Sequence, residues 1–592
     1  MSFSLCTPRK IVALSAVIGC ILLLHGYVHA QLPAVWNNLQ SADARKPLTV
    51  TRYITPARII KTTGNIVNAA QVLQPGTGQA DLTGRNICVL RNIGPVKASL
   101  LLDFGKELQG GLQLITGMHT SGKPVRVRLR FGESVTEALS DTGGIPNATN
   151  DHAIRDEIVQ LPWLGKFETG NTGFRFVNIT LVDTFAELKL KEVSAMFAFQ
   201  DIPYIGSFSC SDSLLNKIWR TGAYTVHLNM QDYLWDGIKR DRLVWVGDMH
   251  PEVATINAVF GDNPAVTKSL DRSRDDTPLP QWMNGISTYS MWWILIQRDW
   301  YYHNGDTVYL RKQAPYLRQL LRLLCSKTDH QNSEHLDGMR FLDWPSSQDS
   351  LAIHAGLQAM MVLSLQAGAD LSRQLGDAST AAHCDATITR LKKHIPDANG
   401  SKQAAALLAL SGLWPAEKAN AILSKDGAQR FSTFYGYYML QAQAMAGDYT
   451  GALNNIRSYW GGMLQMGATT FWEDFDISWM RDASRIDELP VPGKKDIHGD
   501  NGAYCYIGFR HSLCHGWASG PTPWLTQHIL GIEVLEPGCR KVRIVPHLGD
   551  LQFAEGSFPT PYGIIKVKHI KQADGSVSSS IQAPEEVTVI RQ

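Results

Sequence analysis

Beyond residue 30 the chain has no uninterrupted apolar run approaching the roughly 18 residues that cross a bilayer, so no membrane span is expected there. It has neither a basic block nor an acidic tail. Lys+Arg 56 against Asp+Glu 54 leaves a formal charge of +2, which makes nucleic acid and anionic membrane poor candidate partners. Past residue 30 stand Cys88, Cys210, Cys325, Cys384, Cys505, Cys514 and Cys539, an odd number, scattered and without CxxC spacing. That excludes a disulfide framework and a zinc signature, so no metal is expected. Only Cys505 and Cys514 are near enough in sequence to bridge, and small buried thiols are the plainer reading. A fixed repeat period is also missing, which argues against a regular solenoid.

What is there begins with a leader. Arg9-Lys10, the apolar run "IVALSAVIGCILLL" and the small-residue ending "VHA" read as a signal peptide over residues 1–30, cleaved after Ala30, with the mature protein exported to the periplasm or beyond. Lipidation at Cys20 is the weaker alternative, because the apolar run continues past it. The remaining length exceeds a single core of about 250–300 residues and calls for two to four domains.

Over 31–205 the pattern is β. "VRVRLRF" alternates Val125, Val127, Leu129 and Phe131 with arginines, and "FRFVNITLV" and "LKLKEVSAMFAF" add further short apolar runs, so a β-sandwich is expected. From 206 to 530 the period becomes helical. "SDSLLNKIWRTG", with serines as candidate N-caps, sets Leu215, Ile218, Trp219 and Gly222 on one stripe, and "YLRQLLRLLC" does the same with Leu317, Leu320, Leu321 and Leu324. Helix pairs without a fixed period suggest a closed helical toroid. Over 531–592 period-2 segments return in "KVRIV" and "GIIKVKHI", giving a closing β domain.

The stretch "WDGIKRDRLVWVGD" crowds Asp236, Asp241 and Asp248 beside Trp235 and Trp245. Gly237 and Gly247 argue against one unbroken helix, so a loop that turns the three carboxylates into one cleft is the simpler functional picture. The plainer reading pairs them with Lys239, Arg240 and Arg242 on a solvated surface, and composition alone favours it. A second acidic site, Glu473 in "GATTFWEDFD", shifts the balance. Two carboxylates on separate loops across a sugar, one protonated and one activating water, are what glycoside hydrolysis requires. Flanking tryptophans would desolvate them.

In these stretches, and in "FLDWP", "HGWASGPTPWL" and "RKVRIVPHLGDLQFAEGSFPTPYGIIKV", the chain resembles the bacterial α-L-rhamnosidases of glycoside hydrolase family 78 over roughly residues 170–570. The resemblance implies an (α/α)6 barrel flanked by N- and C-terminal β-sandwich domains, and an inverting hydrolase that releases terminal α-L-rhamnose from a glycan without a cofactor. Carried over by position, it implies Asp241 as general acid and Glu473 as general base, with Asp236 and Asp248 binding sugar hydroxyls and holding Asp241, Arg240 or Arg242 tuning the local field around the sugar, and His515 near it. Asp343, Trp344, Trp245, Trp282 and Trp472 become candidates for the pocket wall, although each tryptophan taken alone fits a core. One departure stands out. The family's usual acid is glutamate, and aspartate withdraws the carboxyl by about 1.5 Å, where an inverting pair needs about 6.5–9.5 Å between carboxyls. The alternative is therefore a relative that binds sugar without cleaving it, or that takes a different sugar.

Overall fold

The computed structural model describes residues 46–145 and 147–591, and Leu48–Gln592 form one compact unit. The expected signal peptide, with Cys20 and Ala30, lies outside the described residues.

The alternating segments become strands. Val125–Gly132 buries Val125, Val127, Leu129 and Phe131 while Arg126 faces out, as its period of two requires. It belongs to a nine-stranded sheet built from strands between Val50 and Phe199. The two layers of the expected sandwich are made from one continuous hydrogen-bonded sheet, because its long strand Ser99–Thr116 changes partners. Ser99–Asp103 pairs with Arg58–Thr63, whereas Gly110–Thr116 pairs with the strand Glu187–Phe199. Between these parts the register shifts from Asp103 to Leu108, at Gly105 with φ 85°. The bend lets the sheet fold over a core of Leu100, Leu112, Val127, Leu129 and Phe174.

Eleven α-helices of eight residues or more follow among the described residues, from Ser213–Asn229 to Tyr449–Gln465. Thr307–Ser326 shows why: Asp306 caps its first amides at 2.9 Å, and Leu310, Leu317, Leu320, Leu321 and Leu324 make the buried stripe. For Ser213–Asn229 the cap is Asp212, rather than a serine; its carboxylate accepts from Leu214 N at 2.8 Å and also pairs with Arg457 at 2.7 Å. The charge suits a helix N-terminus and the ion pair fixes it. Short 3-10, α and π turns over Gly516–Ile529 close the ring on that first helix, where Trp219 donates to Thr526 Oγ1 at 3.1 Å. Helix Ser350–Gln374 is long and apolar enough to cross a membrane, but 78% of its most apolar window is buried within the protein.

The C-terminal strands form a three-stranded and a four-stranded sheet. The latter includes Ser207–Cys210, which pairs antiparallel with Phe553–Thr560 although it precedes the helices. A division at 205/206 therefore assigns that strand to the helical domain, while its hydrogen bonds belong to the C-terminal sheet. The architecture is a helical domain with β-sheet domains before and after it.

Candidate active site

Asp236 and Asp241 lie on the irregular segment between helices Ser213–Asn229 and Val246–Val259, but Asp248 is in the first turn of the second helix, capped by Trp245. The loop expected for all three thus ends early, because residue 248 gains the N-terminal helix field that favours a carboxylate. Two glycines allow the packing. A Cβ on Gly237 would meet Arg240 O at 2.8 Å and His515 Nδ1 at 3.0 Å, and one on Gly247 would meet the Tyr289 ring at 2.5 Å. Arg242 takes φ +63°, costly for a residue with a side chain, and is held by Asn171 O at 2.6 Å and by the Trp235 ring.

The cations do not solvate the aspartates on a surface. Arg240 is buried; its Nη2 donates to Glu473 Oε1 at 2.8 Å, and its Nε lies 4.0 Å from Asp241 Oδ1. Because one guanidinium reaches both, the nearer oxygens of Asp241 and Glu473 are no more than about 9 Å apart. His515 ties the third acid in, with Nε2 2.9 Å from Asp248 Oδ1 and Nδ1 3.7 Å from Glu473 Oε1. Asp236 accepts from Leu243 N at 2.9 Å, and its carbonyl accepts from Gly516 N at 2.8 Å, which seats it beside His515.

Burial pushes the Asp236 carboxyl well above its ordinary range, reinforced by Asp248 and Asp241. Burial also raises Asp248, against the pull of His515. For Glu473 burial acts upward too, but Arg240, His515 and His511 outweigh it and hold the carboxyl at about 2. His515 rises to about 9: burial opposes its charge, and Glu473 and Asp248 overcome that. Near neutral pH the centre holds an ionised Glu473 and an imidazolium between two acids. The Asp241 side chain is 21% exposed while that of Glu473 is 3% exposed, so Asp241 is the carboxyl that opens outward.

The expected wall is divided. Trp245 donates its indole N–H to Asp241 Oδ2 at 3.1 Å. Trp472 is core behind Glu473, edge-on to Phe475 and His511. Trp344 packs on Tyr504 and Tyr506, and Tyr506 lies under the Arg240 guanidinium at 5.1 Å. Asp343 is a buried helix cap that accepts from Trp344 N, Ser432 and Gln403; burial sets its carboxyl at about 6. Trp282 donates its N–H to Asp337 at 3.0 Å and has Lys327 over its ring, on a turn whose Asn284 donates to Val244 O and accepts from Val246 N beside the aspartate segment. Cys505 and Cys514 are both free, whereas Cys325 and Cys384, far apart in sequence, are within hydrogen-bond reach.

Several neighbours carried no signal in the sequence. His152, from the β domain, places Nε2 3.3 Å from Asp241 Oδ1, and its loop is tied down where Arg510 pairs with Asp151. Tyr289 lies 3.5 Å from Asp248 Oδ2, and Ser512 N donates to Glu473 Oε2 at 3.0 Å. Behind Arg240, Lys239 is buried against Glu133 at 2.9 Å and Glu137 at 3.2 Å and donates to Phe509 O at 2.9 Å. Glu133 in turn accepts from Leu513 N at 2.6 Å, next to the Ser512 amide that holds Glu473. Glu133, Glu137 and His498 could together ligate a metal ion by geometry, but Lys239 already supplies the positive charge. The cavity beside Arg240 and His152 measures about 10 Å³, room for about one water.

Residues 203–417 match the family model described as the bacterial α-L-rhamnosidase six-hairpin glycosidase domain, and residues 531–590 match the bacterial α-L-rhamnosidase C-terminal domain. An α-L-rhamnosidase of Alteromonas sp. (strain LOR) is 24% identical over 530 residues, 81% of this chain and 54% of that protein. The chain thus spans about half the length of that relative. The solved GH78 family rhamnosidase of Bacillus sp. GL1 superposes with TM-score 0.70 at 24% identity, over 89% of this chain and 55% of that one. The rhamnosidase of Klebsiella oxytoca, solved with rhamnose bound, gives TM-score 0.63 at 18% identity, over 81% of this chain and 96% of its own. At those identities the structural likeness is one of fold.

Proposed function

We propose that this chain, a member of the bacterial α-L-rhamnosidase family by its helical and C-terminal segments, hydrolyses terminal α-L-rhamnosyl units of glycans with inversion at the anomeric carbon. Glu473 takes the proton of the attacking water, and Asp241 protonates the departing oxygen. The observation that carries this is the shared Arg240 guanidinium, which keeps a buried, ionised carboxylate and a solvent-facing one within about 9 Å. That ceiling is compatible with most of the ~6.5–9.5 Å separation of inverting pairs. His515 and Asp248 form the charged floor under the sugar, and Trp245 fixes the orientation of the Asp241 carboxyl. Water and glycan are the reactants. Export follows from the leader-like residues 9–30 and remains part of this proposal.

The test is hydrolysis of an aryl α-L-rhamnoside followed by NMR of the first-formed sugar. The expected product is β-configured rhamnose, and Glu473→Gln and Asp241→Asn are each expected to lower kcat by ~10²–10⁴. Retained configuration, or a near-normal rate in either variant, overturns the assignment. Rhamnose binding without any turnover identifies instead a non-catalytic relative.

A further inference from the structure

A cavity of about 670 Å³ lies where the barrel meets the C-terminal strands, and none of Asp236, Asp241, Asp248 or Glu473 lines it. Its barrel wall includes helix Val246–Val259, which carries Asp248 near its start and Asn257 near its end. Nine residues of helix separate those two by ~14 Å, so the cavity belongs to the opposite end of the element that serves the carboxylate centre. Its volume falls within the ~300–1,000 Å³ of pockets that hold small organic molecules.

The cations of the lining are spoken for. Arg298 pairs with Asp299 and Asp370, each at 3.2 Å, and Arg543 pairs with Glu533 at 2.5 Å, which leaves no free charge to attract an anion. The uncharged groups form a chain: Gln441 donates to Gln527 Oε1 at 2.5 Å, His528 Nε2 stands 2.7 Å from Gln441 Oε1, and the Tyr437 hydroxyl reaches Gln527 at 3.3 Å. Asn257 Oδ1 is buried there with no hydrogen-bond partner among the described residues, which costs free energy unless a ligand donor or water meets it. Tyr449, with one face stacked on His547 at 3.9 Å, adds a fixed aromatic surface.

Neutral amide, hydroxyl and imidazole groups beside flat rings are matched by a ligand with many hydroxyls, no charge and apolar C–H faces. We propose that this cavity is a second, non-catalytic site for a neutral hexose or deoxyhexose; it rests on the function proposed above only for the choice of L-rhamnose as probe. Equilibrium dialysis of the full chain with radiolabelled L-rhamnose is expected to give two molecules bound per chain. Gln441→Leu or Tyr449→Ala, both at half-buried positions, should remove one, with thermal unfolding confirming that the variants fold, while Asp248→Asn removes the other. Two sites that persist in both cavity variants, or a single site that they leave intact, overturn this proposal. A single site lost with Gln441→Leu and untouched by Asp248→Asn upholds it and overturns the sugar-binding role of the carboxylate centre. No binding at all overturns both.

Discussion

Arg240 decides what the carboxylates of this centre can do. It is the strongest of the influences that hold Glu473 at about 2 against the upward push of burial. A base held that low is ionised at every working pH yet takes a proton weakly, so Arg240 guarantees the charge of Glu473 and restrains its basicity. Removing the guanidinium leaves burial less opposed. Arg240→Met is expected to move the acidic limb of the kcat/KM profile upward by ~1–3 pH units, the direction that follows because Glu473, as the proposed base, must lose its proton to act. A pH–rate series on an aryl rhamnoside measures this, and a limb that stays in place removes Arg240 from control of Glu473. The resemblance left open whether Arg240 or Arg242 would do this, and the fold separates them: Lys239, Arg240 and Arg242 face three different parts of the molecule.

At the scale of elements, the helix Val246–Val259 and the segment before it were only partly legible. The glycines of "WDGIKRDRLVWVGD" do mark places where the chain cannot carry a side chain, yet Gly247 sits inside the helix rather than ending it. Its role is to let the helix approach the Tyr289 ring. Gly247→Ala would gain up to ~1 kcal/mol of helix propensity, but a methyl group 2.5 Å from a buried ring carries an overpacking cost of ~1–3 kcal/mol. The clash wins. The expected result is a lower unfolding midpoint in denaturant and a raised KM, since Tyr289 borders Asp248. An unchanged midpoint and KM would show that the ring moves aside freely.

At the scale of the whole molecule, the β domain is part of the centre. Glu133 and Glu137 reach from its strand edge and short helix to Lys239, all three fully buried or nearly so. The same Glu133 accepts from Leu513 N, beside the amide that holds Glu473. Removing the ammonium leaves Glu133 buried without a cation, while Arg155 still pairs with Glu137; ~3–5 kcal/mol is the usual destabilisation for a buried charge that loses its partner. Lys239→Met is accordingly expected to lose that much by chemical denaturation and to lose activity with it, and adding Glu133→Gln should restore part of both. A single variant as stable as the parent would show that the two domains do not depend on this contact. The Ser207–Cys210 strand makes a similar link at the other side, joining the start of the helical run to the C-terminal sheet.

The sequence by itself determined the change of period from two to 3.6 and back, because burial of one face imprints the repeat of the element on the order of residues. It also marked Asp236, Asp241, Asp248 and Glu473 as two acidic stretches that turn out to adjoin, and the family resemblance added His515, which joins Asp248 to Glu473. What only the tertiary structure decided is which groups meet across the folds. His152 against Asp241, Lys239 against Glu133, Arg240 against Glu473 and Trp282 against Asp337 are pairings between residues tens to hundreds of positions apart. Such contacts, and the charge states they impose, arise from the bending of one strand and the closure of a ring, which no local pattern records.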